Sequence, residues 1–152
     1  MLQRPQTLYL LGVFIVFLFL LTGPIALFTL DGAEYILKHS GVFEVEGERL
    51  AVDTWPLSVF FILVITLAFL NIFFYRNRIR QMRICIFLIL LCAGMVGIIF
   101  YYIWVTRNHL EGAQTLHKWR IVIPPIAMIL LYLAFRRIRR DELLVKAYDR
   151  IR

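Results

Sequence analysis

Four long apolar runs, at 8–30, 57–75, 84–105 and 121–135, alternate with short polar segments. The first three reach the roughly 20 residues that a helix needs to cross ~30 Å of hydrocarbon. The opening segment 1–7 with Arg4, followed by the first run, has the outline of a secretory signal peptide. The run is longer than the roughly 7–15 residues of a signal's apolar core and passes Thr22, Gly23 and Pro24 with no small-x-small cleavage site, so it is expected to stay as a membrane helix. The fourth run has only about 15 residues. Trp119 and the arginines at 136, 137, 139 and 140 mark its two interfaces, and the helix can extend to Ile138, with Pro124 and Pro125 in its opening turns, where a missing N–H costs least.

The polar segments complete the outline. Between the first two runs, 42–46 and 49–53 are strand-like and meet at Gly47, which predicts a hairpin with Phe43 and Val45 on one face of its first strand and Leu50 and Val52 on one face of its second. Segment 106–120 is a short polar loop with Gly112 as its turn. In the tail, 136–152, Ile138, Leu144, Tyr148 and Ile151 form an apolar stripe beside Arg139, Arg140, Lys146, Arg150 and Arg152, with Glu142 and Lys146 as an i, i+4 pair. The expected fold is an all-α membrane protein in one domain, 1–152. It has a four-transmembrane-helix bundle, an outer β-hairpin between helices one and two, and a cytoplasmic amphipathic C-terminal helix.

Charge fixes the orientation. Segment 76–83 holds Arg76, Arg78, Arg80 and Arg83 and no acid, and the tail holds seven basic residues against three acids. Both belong in the cytoplasm, and an even number of crossings puts the N-terminus there too. Segment 31–56, with six acids against Lys38 and Arg49, then faces outward. Trp55, Trp104 and Trp119 fall at outer helix ends, as an interfacial aromatic belt requires.

The composition agrees: 61% hydrophobic, 18% charged, mean hydropathy +0.78. The net charge of +7 reflects topology more than a DNA-binding face, because the basic residues cluster beside the ends of the apolar runs. Cys85 and Cys92 share one run, about 10 Å apart by helical rise, too far for a disulfide. They form no Cys-x-x-Cys pair for thiol oxidation.

Little chemistry emerges. The deep stretches hold no Asp, Glu, Lys, Arg or His, which argues against a pump or coupled transporter. Asn71 is read as a helix-to-helix hydrogen bond, with a ligand contact as the lesser alternative. Ala93, Gly94 and Gly97 allow a close helix approach, either within the chain's own bundle or against a second protein. His39, His109 and His117 fit no metal-ligand spacing, and no catalytic grouping stands out, so neither metal nor cofactor is expected and the chain is not read as an enzyme.

Three stretches carry a family resemblance. The opening Met1-Leu2-Gln3-Arg4-Pro5-Gln6-Thr7-Leu8-Tyr9-Leu10, the segment Phe74-Tyr75-Arg76-Asn77-Arg78 with Gln81, Arg83 and Cys85, and the ending Ile138-Arg139-Arg140-Asp141-Glu142-Leu143-Leu144-Val145 with Asp149-Arg150-Ile151-Arg152 resemble a Bacteroidota family of small four-helix inner-membrane proteins, domain of unknown function 4293. Pro5 stands where that family is expected to carry an aliphatic residue. The resemblance implies a bacterial inner-membrane location and draws attention to the cytoplasmic loop and tail. It supplies no catalytic or ligand residues.

The expected role is a non-enzymatic accessory or scaffold subunit of a larger inner-membrane complex for export, secretion or envelope maintenance. The alternative is a lipid-binding or lipid-moving protein. Contacts with a protein partner or lipid headgroups are expected at Arg76, Arg78, Arg80, Arg83, Arg136, Arg137, Arg139, Arg140, Leu144, Tyr148, Arg150 and Ile151. The partners are membrane lipids and other integral subunits, with ribosomal RNA a minor alternative for the basic tail.

Overall fold

The computed structural model describes residues 5–30, 32–45, 50–110 and 114–149. In chain order they form helix α1 (Pro5–Leu21), strands β1 (Ala26–Leu30), β2 (Ala33–Lys38), β3 (Gly41–Glu44) and β4 (Leu50–Asp53), helix α2 (Trp55–Phe73), a 3-10 turn (Phe74–Arg76), helix α3 (Arg78–His109), strand β5 (Gln114–His117), a second 3-10 turn (Trp119–Val122) and helix α4 (Ile123–Asp149). The molecule is a four-helix bundle with a small antiparallel sheet at one end. Each helix packs on two neighbours, in the pairs α1–α2, α2–α3, α3–α4 and α4–α1.

The helix seams follow the sequence closely. Buried positions on α2 are Leu57, Phe61, Val64, Ala68 and Asn71, alternating steps of four and three. On α3 the series Gln81, Cys85, Leu88, Cys92, Met95 and Ile99 does the same. That 3.5-residue repeat is the packing seam of nearly parallel or antiparallel helices. The outward faces are apolar as well: Val59, Ile62, Leu63, Phe69 and Leu70 on α2 are exposed. A helix that is apolar all round while burying only a narrow stripe in its own protein calls for apolar surroundings on its other sides, as a membrane span has. By length and composition α2, α3 and the stretch Trp119–Val145 can each cross a membrane.

The first apolar run departs from expectation. It does not form one helix over 8–30, because α1 stops at Leu21 and the rest becomes β1. Thr22 donates its hydroxyl and its backbone N–H back to the Phe19 carbonyl, at 2.8 and 3.3 Å. Pro24 has no N–H to continue the ladder and disfavours helical geometry at Gly23. The chain resumes as an interior strand, paired on both sides, in a sheet of order β4-β3-β2-β1-β5. Gly32, in the β1–β2 turn, has φ of +88°, a conformation that favours glycine.

The expected hairpin corresponds to β3 and β4, but it belongs to this five-stranded sheet, and on β3 the inner face is the opposite one, whereas on β4 Val52 faces the core as expected. Val42 is fully buried, whereas Val45 is 48% exposed, outside the strand. Both alternations of Val42-Phe43-Glu44-Val45 carry an apolar residue, so the local pattern leaves the face open. The neighbouring strands close the choice, since Val42 pairs with Leu37 and Leu37 with Ala26, a row buried across three strands. With Phe28 they join the bundle core. Register shifts at Val42/Phe43, where β4 supplies an extra residue between Val52 and Leu50. Gly47 and Gly112 lie outside the described residues.

Two further expectations change at the opposite end. The segment 76–83 is not a loop: only the turn Phe74–Arg76 and Asn77 link α2 to α3, which starts at Arg78. The tail is not a separate helix, because α4 continues without a break from Ile123 to Asp149. Ile138 is buried in the bundle, while Leu144 is 60% exposed, so the expected tail stripe divides. Arg150 and Ile151 and the side chains of Lys146 and Tyr148 lie outside the described residues.

Candidate functional site

Topology separates the two ends of the bundle chemically. The sheet, the turn before α4 and the exposed Trp55, Trp104 and Trp119 stand at one end. The α2–α3 turn, the N-terminus of α1 and the arginine-rich part of α4 stand at the other.

At the arginine end a polar cluster ties α2 to α3. Asn71 donates its side-chain amide to Cys85 Sγ at 3.3 Å, and Gln81 donates its own to the Asn71 backbone carbonyl at 3.3 Å. Asn71 Oδ1 and Gln81 Oε1 remain buried without hydrogen-bond partners. Gln81 was hidden among the charges of 76–83, where it reads as solvated. The repeat Gln81–Cys85–Leu88 continuing into the apolar run is the signal that finds it.

Above this cluster the arginines divide between two clefts. Arg78 Nη1 donates to the Asp141 carbonyl at 3.0 Å and lies 4.0 Å from Glu142 Oε2, clamping the start of α3 to α4. Arg78, Arg80 and Arg83, with Tyr75, Asn77 and Glu142, line a cleft of about 670 Å³. Arg136, Arg137 and Arg140 line a second, of about 270 Å³, against Leu133 and Tyr9 of α1. Arg139 is exposed and lines neither. The side chain of Arg76 lies outside the described residues.

At mid-bundle Ala93, Gly94 and Gly97 are exposed on α3. A Cβ on Gly94 would reach Phe60 of α2 at 3.6 Å, and one on Gly97 would meet nothing within 4 Å. The close approach these residues permit is therefore left largely unused by the described part of the chain's own bundle.

At the sheet end two groupings resemble sites. Ser58 Oγ and His39 Nδ1 are 3.1 Å apart, the spacing of a nucleophile and its base. The Ser58 hydroxyl, however, donates to the His39 carbonyl at 2.8 Å, so the ring nitrogen is the donor in the other contact. Asp53 accepts the Trp55 N–H and not an imidazole proton. Thr54 also donates toward the His39 carbonyl, at 3.1 Å, and the whole forms a clip between the β2–β3 turn and α2. Burial, aided by Lys38, holds the His39 pKa below the usual histidine value. His109 is exposed at the end of α3, the His117 side chain lies outside the described residues, and no group of three metal-ligating side chains occurs among the described residues.

Arg120 forms the second grouping. Its guanidinium lies 5.1 Å from the Phe19 ring and 5.7 Å from that of Trp119, and packs so closely on Gly23 that a Cβ there would overlap it. This cation–π stack secures the helix-to-strand break at the end of α1.

No curated protein and no solved structure matches the chain. A protein-family model does, over residues 2–151, and its description is Domain of unknown function (DUF4293).

Proposed function

The chain belongs to the DUF4293 family along nearly its whole length, and we propose that within it the chain is a non-enzymatic accessory or scaffold subunit of a larger assembly in the bacterial inner membrane. In this reading all four helices cross the bilayer. The 17 residues of α1 fall at the short end of the roughly 17–25 that suffice. The arginine end lies in the cytoplasm, together with both termini, and the sheet lies outside.

The observation that carries the proposal is the exposed Ala93–Gly94–Gly97 face of α3. Small residues let helix backbones approach closely in lipid, where association depends on packing and not on escape from water. Buried polar side chains among the described residues are Thr54, Asn71, Gln81 and Thr106, none of them charged, which favours a structural role over proton or ion movement.

The test compares the native chain with Gly97→Leu, each purified in mild detergent at native expression level. The added side chain points into open space, so the variant is expected to keep its fold and lose a stoichiometric membrane partner. Free monomer from both, with no specific crosslink formed in cells at position 97, would overturn the proposal.

A further inference from the structure

We infer that the cleft between α1 and α4 is a binding site for the phosphodiester headgroup of an anionic phospholipid, with Arg136, Arg137 and Arg140 as its cationic ligands and Tyr9 as a hydrogen-bonding wall. The site goes beyond the subunit reading and does not depend on a protein partner at α3.

Spacing builds the cleft. Positions 133, 136, 137 and 140 follow i, i+3, i+4, i+7 and so lie on one face of α4, which meets Tyr9 across the groove. Three guanidiniums within two turns repel one another. Among the described residues none of the three forms an ion pair with an acid; the ion pair found there is Arg78–Glu142, in the other cleft. An anion relieves that repulsion. A guanidinium presents paired N–H donors that match two phosphate oxygens, and the arginine fork suits this better than a lysine ammonium.

The apolar surface that continues from the cleft points to a lipid as the source of the phosphate. Followed away from the arginines, the same face of α4 passes Leu133 and continues through Ile129 and Ile126, which are 61% and 43% exposed. One helix face thus runs from an exposed apolar surface, through an apolar floor, to a cationic head, the polarity sequence of a phospholipid lying along it. A zwitterionic headgroup would bring its own ammonium among three arginines, so the cleft favours lipids that carry net negative charge.

The test offers the full-length chain, in mild detergent, equal amounts of phosphatidylglycerol and phosphatidylcholine and reads the bound lipid by native mass spectrometry. The native chain is expected to retain phosphatidylglycerol by roughly tenfold or more. Arg136→Gln/Arg137→Gln/Arg140→Gln should abolish the preference, and Arg80→Gln/Arg83→Gln, which removes charge from the other cleft, should preserve it. Should the triple glutamine variant fail to insert, the triple lysine variant keeps the charge that fixes topology and should show a weakened preference, as should Tyr9→Phe. An equal loss from the Arg80/Arg83 variant would mean diffuse surface charge and overturn the site. Displacement of the lipid by millimolar inorganic phosphate would overturn the assignment to a lipid, and no preference in the native chain would overturn both.

Discussion

Protonating His39 puts a charge into the turn that clips the sheet to the bundle. Its pKa is lowered in the fold, by burial first and Lys38 second, so the folded chain holds this ring neutral more firmly than the unfolded chain does. The associated stability is fully present above the ordinary histidine pKa of about 6.5 and is lost as pH falls through the lowered folded value. Thermal unfolding followed from pH 7.5 to pH 5 should show a falling midpoint, and His39→Gln, which cannot titrate, should flatten that slope. An identical slope in the variant would remove His39 from the account. None of this is readable in the sequence, where His39 is a histidine in a polar loop. Its partner Ser58 lies 19 positions on, inside an apolar run, and Arg120 reaches back roughly 100 positions to Gly23 and Phe19. Local patterns register residue type and spacing, whereas these contacts exist only after the sheet has docked.

Helices were legible to the extent that their surfaces are apolar on every side. The apolar runs locate α2, the core of α3 and the first part of α4, because a span must be apolar on every side. The same requirement hid β1: an interior strand lying on an apolar bundle is as hydrophobic as the helix before it, and a count of apolar residues passes through the break at Thr22-Gly23-Pro24. Asp31-Gly32, a strong hairpin pair between two apolar stretches, was the available sign of β1 and β2. Helix ends were misplaced where charges continue the helix into water, at Arg78 on α3 and beyond Arg140 on α4. Those extensions meet through the Arg78 clamp, whose groups are partly exposed, with 22% and 18% of the two side chains accessible. Allowing for that solvent contact, Arg78→Ala should lower stability by about 1 kcal/mol, mostly through the bond to the Asp141 carbonyl. Ending the chain at Arg140 should cost a similar amount, and the two changes together should cost less than their sum, because both remove the same clamp. Full additivity in thermal unfolding would show that the clamp holds nothing.

On the scale of the whole molecule, charge and architecture separate into a cationic end and a sheet end, and this polarity was the most legible property of the sequence. The functional surfaces were less so. The arginines were visible as a group, but their division between two clefts depends on how α1 and α3 pack on either side of α4, and Tyr9 carries no mark of its part in one of them. The orientation itself is open to a direct check, because Cys85 and Cys92 are both buried and give little background to a thiol reagent. In intact cells a membrane-impermeant maleimide should label Glu44→Cys, on β3, and leave Arg80→Cys unlabelled until the membrane is permeabilised. The reverse pattern would invert the topology.

The sheet also has an order of construction. Strands β1 to β4 form a meander within a short stretch of chain, but β1 takes its second neighbour from β5, which follows two further helices. Once β4 has emerged, β1 must therefore still wait while roughly 60 more residues follow, several seconds at ordinary translation rates. Throughout that interval one edge of Ala26–Leu30 stands unpaired, a strand edge open to any other extended segment nearby. The arrival of β5 closes this interval and ties the end of α3 to the sheet before α4 has emerged, so the open strand edge is covered ahead of the last helix.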